Sequence, residues 1–337
     1  MNDTNINPSE AFRALVAREA DKNYSFAVEK IDGSILADGD VLVRVEWSDV
    51  NYKDALALTN KGKILRSSPM IPGADFAGEV VAAANDAFHT GDKVLLTGWG
   101  VGEKHSGGFA QYARAPAKML TPLAAGLSTR QAMTCGTAGL TAALCVLALK
   151  DSGHVPAGGQ IAVSGASGGV GSFAVRLLAK LGYAVSAISR PAAADYLKEI
   201  GAADVIAREE MSADSRPLEK SRWDGAVDTV GDKILARLLA ETNYGGVVAA
   251  CGLAGGVQLN TTVMPFILRG VRLDGIDSVM IPQTLRAKAW QLLADTLTAA
   301  DYELIASAVI GLDGLLEAGQ QVIRGDFNGR LIVDPWL

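Results

Sequence analysis

A glycine-rich turn stands between a short apolar segment and an amphipathic one, a spacing that suits phosphate binding. The apolar segment Ile161–Val163 predicts a buried strand, and Phe173–Leu181 predicts a helix that ends at Gly182. Such a turn directs helix N–H groups toward a phosphate, and glycine lets the backbone approach a pyrophosphate closely. The pattern from Ala166 to Gly171 is A-x-G-G-V-G, with alanine at the usual first glycine. Similar turns also occur for purely structural reasons.

The strand predicted next ends in a hydroxyl and a guanidinium rather than in a carboxylate. This strand covers Tyr183–Ile188 and is followed by Ser189 and Arg190. In a dinucleotide-binding fold, an acidic residue at this strand end accepts hydrogen bonds from the ribose 2′-OH of NAD. A serine and an arginine suit a 2′-phosphate instead. The pair therefore predicts NADPH as the cofactor, the alternative being an arginine that is only solvated at a strand end.

The elements that must position these residues divide the chain into two predicted domains. Residues 1–130 are β-rich, with short strands at the spacing of a barrel-like domain, and residues 131–304 alternate strands with helices. Six strands that alternate with helices indicate a doubly wound parallel sheet. The last segment, about 305–337, ends in a strand that we expect to return to and complete the first domain. The predicted fold class is therefore α/β.

Composition limits the classes of partner. The chain has 337 residues, 49% of them hydrophobic, and a formal net charge of −6, which argues against general nucleic-acid binding. No apolar run was expected to reach the length of a membrane span, and the polar start, residues 1–8, does not resemble a secretory signal. Three scattered cysteines indicate core thiols in a reducing cytoplasm rather than disulfides or a zinc site; they are Cys135, Cys145 and Cys251.

Several stretches together resemble the medium-chain dehydrogenase/reductase superfamily over essentially the whole chain. Its signposts are Gly73–Val80, Gly91–Val94 and the turn Ala166–Gly171. Further stretches resemble the acrylyl-CoA reductase subgroup, whose members are similar to quinone oxidoreductases; these are Ser48–Asp54, Arg216–Lys220, Asp228–Gly231, Cys251–Gly255 and Gly275–Met280. The resemblance implies a GroES-like catalytic domain, a Rossmann domain and a homodimer.

The chain departs from the alcohol dehydrogenases of this superfamily at their metal ligands. Where those enzymes have a His-Glu pair, this sequence has Ala74 and Asp75, and the cysteine ligand expected near residues 49–51 is absent. Cys135 stands near the place of one remaining ligand, but a single thiol cannot hold Zn²⁺. No metal is therefore expected. Hydride addition to an alkene conjugated with a thioester or ketone needs less help than reduction of a simple carbonyl, because the charge spreads as an enolate.

Two neighbouring residues are the catalytic candidates that the resemblance implies. Tyr52 is expected to contact the nicotinamide or to donate a proton, the alternative being a tyrosine that packs the domain junction. Asn51 either donates to a substrate carbonyl or caps a turn. Asp54 more often caps or forms an ion pair than catalyses.

The resemblance also implies a set of cofactor-binding residues. Ser167, Gly168, Gly169 and Val170 carry the pyrophosphate, and Ser189 with Arg190 holds the 2′-phosphate. Three further residues are expected on the nicotinamide side, of which the first two are equally compatible with plain core; they are Leu253, Ile267 and Ser278. Arg208 is expected to flank the adenine or the same phosphate.

The expected reaction is NADPH-dependent reduction of acrylyl-CoA to propionyl-CoA. A basic cluster of Lys61, Lys63 and Arg66 either meets the phosphates of coenzyme A or belongs to a solvated loop. A quinone or free enone reductase is the first alternative function. An NADPH-binding sensor or scaffold with little turnover is the second, because fold alone does not separate these classes.

Overall fold

The structure is a computed structural model that describes residues 6–21 and 23–337. The start of the polar N-terminal segment, residues 1–5, lies outside the described residues. The strands are, in order, β1 (Phe12–Ala20), β2 (Asn23–Ile31), β3 (Val41–Asp49), β4 (Asp75–Ala83), β5 (Lys93–Thr97), β6 (Tyr112–Ala115), β7 (Thr121–Pro122), β8 (Gln160–Ser164), β9 (Ala184–Ser189), β10 (Asp204–Ala207), β11 (Trp223–Asp228), β12 (Thr242–Ala250), β13 (Arg272–Gly275), β14 (Ala306–Ile310) and β15 (Arg330–Val333).

Helices fill the intervals between these strands. They are α1 (Tyr52–Leu58), α2 (Thr129–Asp151), α3 (Gly169–Lys180), α4 (Ala194–Glu199), α5 (Arg208–Met211), α6 (Asp232–Glu241), α7 (Met264–Arg269), α8 (Gln283–Thr296), α9 (Ala299–Ile305) and α10 (Leu315–Arg324). Four short 3₁₀ turns are added at Gly33–Ile35, Ala117–Met119, Pro191–Ala193 and Leu312–Gly314.

The chain forms two compact units. The first comprises the residues up to Thr137, the segment Val279–Ala287 and the C-terminal segment Ala306–Leu337. The second comprises Ala138–Ser278 and Lys288–Ile305.

The first unit is β-rich, as expected. Its seven-stranded sheet has the order β14-β15-β3-β4-β5-β7, and β6 also pairs with β3. The last strand β15 pairs antiparallel with β3, with Ile332 facing Asp49, so the C-terminal strand lies in the sheet of this unit. A separate hairpin, β1 with β2, was not foreseen, nor was β14.

The second unit contains a six-stranded, all-parallel sheet. The strand order is β10-β9-β8-β11-β12-β13. When β8 is counted as strand 1 of this sheet, the order is 3-2-1-4-5-6, which is the Rossmann order. The switch point lies between β8 and β11, where crossovers leave in opposite directions. Ligands of such sheets bind beyond the carboxyl ends of the strands at this point. The fold class predicted from the sequence is thus confirmed.

Helix α2, with 23 residues, is the longest helix in the part of the chain that the structure describes. By length and composition it suffices to span a membrane, with a mean hydropathy of 1.8, so the expectation that no apolar segment reaches this length is wrong. However, 89% of the most apolar 18-residue stretch of this helix is buried within the structure, which is typical of a core helix. Gly136 also interrupts the helix with φ 51° and ψ −154°, so two shorter helices are joined at a kink.

The kink at Gly136 depends on the missing side chain. A Cβ atom there would overlap the carboxylate of Asp49 and press on that of Asp75. Its φ and ψ angles also fall in a region that is essentially restricted to glycine. Two independent costs therefore oppose any larger residue at this position.

We expect Gly136→Ala to lower the free energy of unfolding by about 3 kcal/mol or more, as measured by urea denaturation. Gly126→Ala is the matched control, because Gly126 also has a positive φ (88°) but a Cβ there meets nothing within 4 Å. The control should lose only the backbone term of about 1–2 kcal/mol. Equal losses in the two variants would show that the overlap with Asp49 does not constrain the kink.

Candidate active site

The glycine turn after β8 is shaped by close backbone contacts. Gly165 has φ 58°, and a Cβ there would overlap the hydroxyl of Thr229. A Cβ at Gly171 would overlap the carbonyl oxygen of Gly165. Helix α3 begins immediately after this turn, at Gly169. The glycines therefore bring the start of the helix directly against the strand end, as the sequence predicted.

The start of α3 is suited to a phosphate. Its N-cap is Gly168, which has no side chain to accept hydrogen bonds from the first helical N–H groups. Uncapped N–H groups and the positive end of the helix dipole attract an anion. Of the four residues predicted to hold the pyrophosphate, Ser167 and Gly168 end the turn, and Gly169 and Val170 begin α3.

A buried aspartate joins the loops on the two sides of the switch point. Asp228 ends β11, and its Oδ1 accepts a hydrogen bond from Ser164 Oγ at the end of β8 (2.6 Å). Its Oδ2 accepts from the N–H of Gly231 (2.8 Å), and burial raises the pKa of this carboxyl group. Thr229 N–H in turn donates to Ser164 Oγ (3.0 Å). The sequence shows Asp228 only as part of Asp228–Gly231, a stretch that resembles the acrylyl-CoA reductases. It does not show that this carboxylate joins the two loops.

The ends of β9 and β10 carry the residues predicted to hold a 2′-phosphate. Ser189 Oγ donates to Ser167 Oγ (2.9 Å), both side chains being buried, so the β9 end is tied to the glycine turn. In the parallel register Ser189 lies beside Ala207. Arg190 and Arg208 therefore follow adjacent strand ends. The Arg208 side chain is exposed and forms an ion pair with Glu209 (2.9 Å).

The three residues predicted on the nicotinamide side lie in three different loops or helices of the same unit. Leu253 follows β12 and is 61% exposed, and Ile267 in α7 is 72% exposed, so neither is a core residue. Ser278 follows β13, is buried, and accepts a hydrogen bond from Thr141 Oγ1 (2.8 Å). The loop that contains Leu253 lies close to Thr229. A Cβ atom at Gly252 in this loop would overlap the Thr229 carbonyl oxygen.

In the first unit, Asn51 is enclosed by carboxylates. Its Nδ2 donates to Asp49 Oδ1 (2.7 Å) and to Asp75 Oδ2 (2.8 Å). Its backbone N–H donates to Asp54 Oδ2 (2.9 Å) at the start of α1. Both donor positions of the amide nitrogen are thus used within the protein. These contacts favour the alternative in which Asn51 caps a turn over the one in which it donates to a substrate carbonyl.

Tyr52 is placed differently from its neighbour. It is the first residue of α1 and is 47% exposed, although most large apolar side chains of this unit are buried. Within residues 6–21 and 23–337, its phenol has no hydrogen-bond partner. The hydroxyl is therefore available to a ligand.

The carboxylates around Asn51 form part of a buried charged cluster. Asp49, Asp75 and Arg330 are each at most 3% exposed, and the guanidinium of Arg330 lies 2.7 Å from Asp49 Oδ1. Burial raises the pKa of Asp49 well above its usual range. It also raises the pKa of Asp54 to about 7, although two backbone N–H groups donate to that carboxyl. The sequence carried no local signal for this cluster beyond one charged residue at the end of each of three apolar strands, β3, β4 and β15.

The donor set at this place does not fit zinc. Both oxygens of Asp75 already accept hydrogen bonds, from Thr137 N–H (2.5 Å), Thr137 Oγ1 (2.6 Å) and Asn51. Cys135 is buried, and burial raises the pKa of its thiol. Across the part of the chain that the structure describes, no group of three or more His, Cys, Asp or Glu side chains is arranged to hold a metal ion.

Two protein families match this chain. The Alcohol dehydrogenase GroES-like domain family matches residues 37–125, and the Zinc-binding dehydrogenase family matches residues 169–295. The chain is 54% identical to "Probable acrylyl-CoA reductase AcuI" of Escherichia coli, over 95% of this chain and 99% of that protein.

Solved structures agree with these matches. The YhdH oxidoreductase of Salmonella enterica, in complex with NADP, is 54% identical, covers 96% of this chain and 99% of its own, and has a TM-score of 0.93. YhfP of Bacillus subtilis, with NAD bound, is 42% identical, covers 97% and 100%, and has a TM-score of 0.92. The chain therefore belongs to the medium-chain dehydrogenase/reductase superfamily, in its quinone-oxidoreductase-like group that includes the acrylyl-CoA reductases.

Proposed function

We propose that this chain reduces acrylyl-CoA to propionyl-CoA with NADPH. The observation that carries the proposal is the 54% identity over nearly the full length to a protein named an acrylyl-CoA reductase. The relative of the same identity that was solved with NADP supports the cofactor. The glycine turn and the uncapped start of α3 supply a fitting pyrophosphate site in this chain.

The proposed site residues bind the cofactor and support the charge that develops. NADPH, when bound, supplies a hydride for the β-carbon of the alkene. The turn from Ser167 to Val170 holds the pyrophosphate, and Ser189 with Arg190 holds the 2′-phosphate. Hydride addition creates an enolate on the thioester oxygen, which N–H or O–H donors must stabilise.

We propose Tyr52 as the donor of the proton that the α-carbon then requires. Its phenol is half exposed and unpartnered among the described residues, whereas the amide nitrogen of Asn51 is engaged by Asp49 and Asp75. A phenol O–H is a hydrogen-bond donor and a possible source of a proton. Asn51 would act as a positioning residue that fixes the start of α1.

The reaction is tested by following NADPH oxidation with acrylyl-CoA, crotonyl-CoA, a free enone and a quinone. We expect acrylyl-CoA to give the highest kcat/KM. A quinone reductase is the second candidate, favoured by the 42% identity to a relative named a putative quinone oxidoreductase. Turnover of quinones without turnover of acrylyl-CoA would support that candidate, and binding of NADPH without turnover of any substrate would support a sensor or scaffold.

Preference for NADPH should depend on Arg190. Arg190→Ala removes a charge-assisted contact worth about 1.5–3 kcal/mol, so the Kd of NADPH should rise roughly 10- to 100-fold while that of NADH stays unchanged. Arg216→Ala removes an exposed arginine that is paired with Glu219 and serves as the control. A variant that keeps its preference for NADPH would show that another group binds the 2′-phosphate.

The proton donor is tested with Tyr52→Phe, which keeps the ring and removes the hydroxyl. We expect kcat to fall about 10²–10⁴-fold, the usual contribution of a general acid, with the Kd of NADPH nearly unchanged. Tyr244→Phe, at a tyrosine that is 83% exposed in the other unit, is the control. A near-normal kcat would assign the proton to water instead.

We propose that a second copy of the chain covers the end of the parallel sheet. Among the described residues, strand β13 pairs with β12 on one side and with no strand on the other, and open edges are usually covered or paired. Exposed apolar residues stand just before it, including Val263, Ile267 and Leu268. A two-fold partner offers the same strand in return. Light scattering at micromolar concentration should give twice the mass of one chain.

We also propose that the enzyme works in the cytoplasm. All three cysteines are free thiols, two of them buried, which suits a reducing compartment. Fractionation of the producing cells would locate the activity.

A further inference from the structure

A cavity of about 490 Å³ opens on the first unit. Neither Asn51 nor Tyr52 lines it, although Lys53, the next residue of α1, does. It lies along the loop that follows β5 and extends to the 3₁₀ turn Ala117–Met119 and the segment after β13. Its lining residues combine cations, an aromatic ring and methionines; they include Lys53, Trp99, Lys104, Lys118, Met119 and Met280.

The cavity carries an excess of positive charge in a protein that is negative overall. Lys53 forms an ion pair with Glu103 (2.5 Å), the only carboxylate that lines the cavity within the described part of the chain. Lys104 and Lys118 are exposed, and within residues 6–21 and 23–337 neither has a carboxylate partner. Two ammonium groups thus remain for an anion, and His105 lies beside them.

The loop behind these cations is held in an unusual conformation. Trp99 has φ 57°, a left-handed conformation that is rare for a bulky residue and tends to occur at functional sites. Its backbone N–H donates to the carbonyl of Val279 (3.2 Å), which joins two segments that line the cavity. An indole ring and two methionine side chains supply apolar surface next to the lysines.

We propose that this cavity binds the 3′-phosphoadenosine diphosphate end of coenzyme A. The inference rests on the proposed function, which requires an acyl-CoA. That end of the molecule carries several phosphate charges and a flat base, which match unpaired lysines next to an aromatic ring. The volume lies within the usual range for ligand sites. The basic cluster that the sequence suggested, Lys61, Lys63 and Arg66, does not line the cavity.

The first test measures binding without turnover. Coenzyme A is titrated calorimetrically into the whole protein and into Lys104→Ala, Lys118→Ala and the double variant. Each single substitution should raise the Kd of coenzyme A about tenfold, and the double variant should raise it about a hundredfold. Lys104→Arg should retain most of the affinity. Lys30→Ala, at an exposed lysine of the same unit that lies outside the cavity, should change nothing.

The second test compares acrylyl-CoA with acrylyl-pantetheine, which lacks the nucleotide. The lysine variants should raise KM for acrylyl-CoA about tenfold with kcat retained, and should leave kcat/KM for acrylyl-pantetheine unchanged. Equal losses with both substrates would mean that the lysines act elsewhere and would overturn the proposal.

The two proposals fail in different ways. If the wild type reduces acrylyl-CoA but the lysine variants bind coenzyme A as tightly as the wild type, only the cavity assignment is wrong. If the wild type binds coenzyme A through these lysines but does not reduce acrylyl-CoA, only the proposed reaction is wrong. A wild type that does not bind coenzyme A overturns the cavity assignment.

Discussion

The ion pair between Asp49 and Arg330 is the interaction on which the first unit depends. Arg330 begins the last strand of the chain and Asp49 ends β3, and the two strands pair in one sheet. Both residues are almost fully buried. Removal of one partner from such a pair leaves an uncompensated buried charge, which typically costs about 3–5 kcal/mol. The C-terminal strand is therefore held by this buried side-chain contact as well as by backbone hydrogen bonds.

The same cluster decides what its neighbours can do. Asn51 donates to Asp49 and to Asp75, and the carboxylate of Asp75 also accepts two hydrogen bonds from Thr137. A group that already satisfies buried carboxylates is a poor donor to a substrate. The first turn of α1 is thereby fixed, and the phenol of Tyr52, its exposed first residue, has no hydrogen-bond partner among the described residues. Both oxygens of Asp75 and one oxygen of Asp49 accept hydrogen bonds within this cluster.

Prediction from the sequence succeeded where the signal was local. The glycine turn, the strand before it and the helix after it lie within about twenty residues, and Ser189 with Arg190 follows at the next strand end. The Asp49–Arg330 pair could not be predicted this way, because its members lie near opposite ends of the chain. The β1–β2 hairpin was also missed, and the role of Asn51 was left open because a one-dimensional pattern does not show which carboxylates surround an amide.

The cavity near Trp99 shows the same limit from another side. Sequence proximity pointed to Lys61, Lys63 and Arg66, whereas the fold brings Lys53, Lys104 and Lys118 to one cavity from three separate segments. Charge that is spread along the chain becomes a site only through tertiary structure. The sequence also did not decide whether Leu253 and Ile267 are core residues or face a ligand. Apolar side chains in helices or loops are compatible with both until their exposure is known, and both are exposed in the structure.

Direct hydride transfer from NADPH to the activated alkene is tested most directly by following an isotope from the cofactor into the product. The enzyme is incubated with acrylyl-CoA and NADPH that carries deuterium at the transferred position of the nicotinamide, and the product is examined by NMR. One deuterium at the β-carbon of propionyl-CoA and a solvent-derived proton at the α-carbon are the predicted result. Deuterium at the α-carbon, or product without deuterium, would contradict the mechanism.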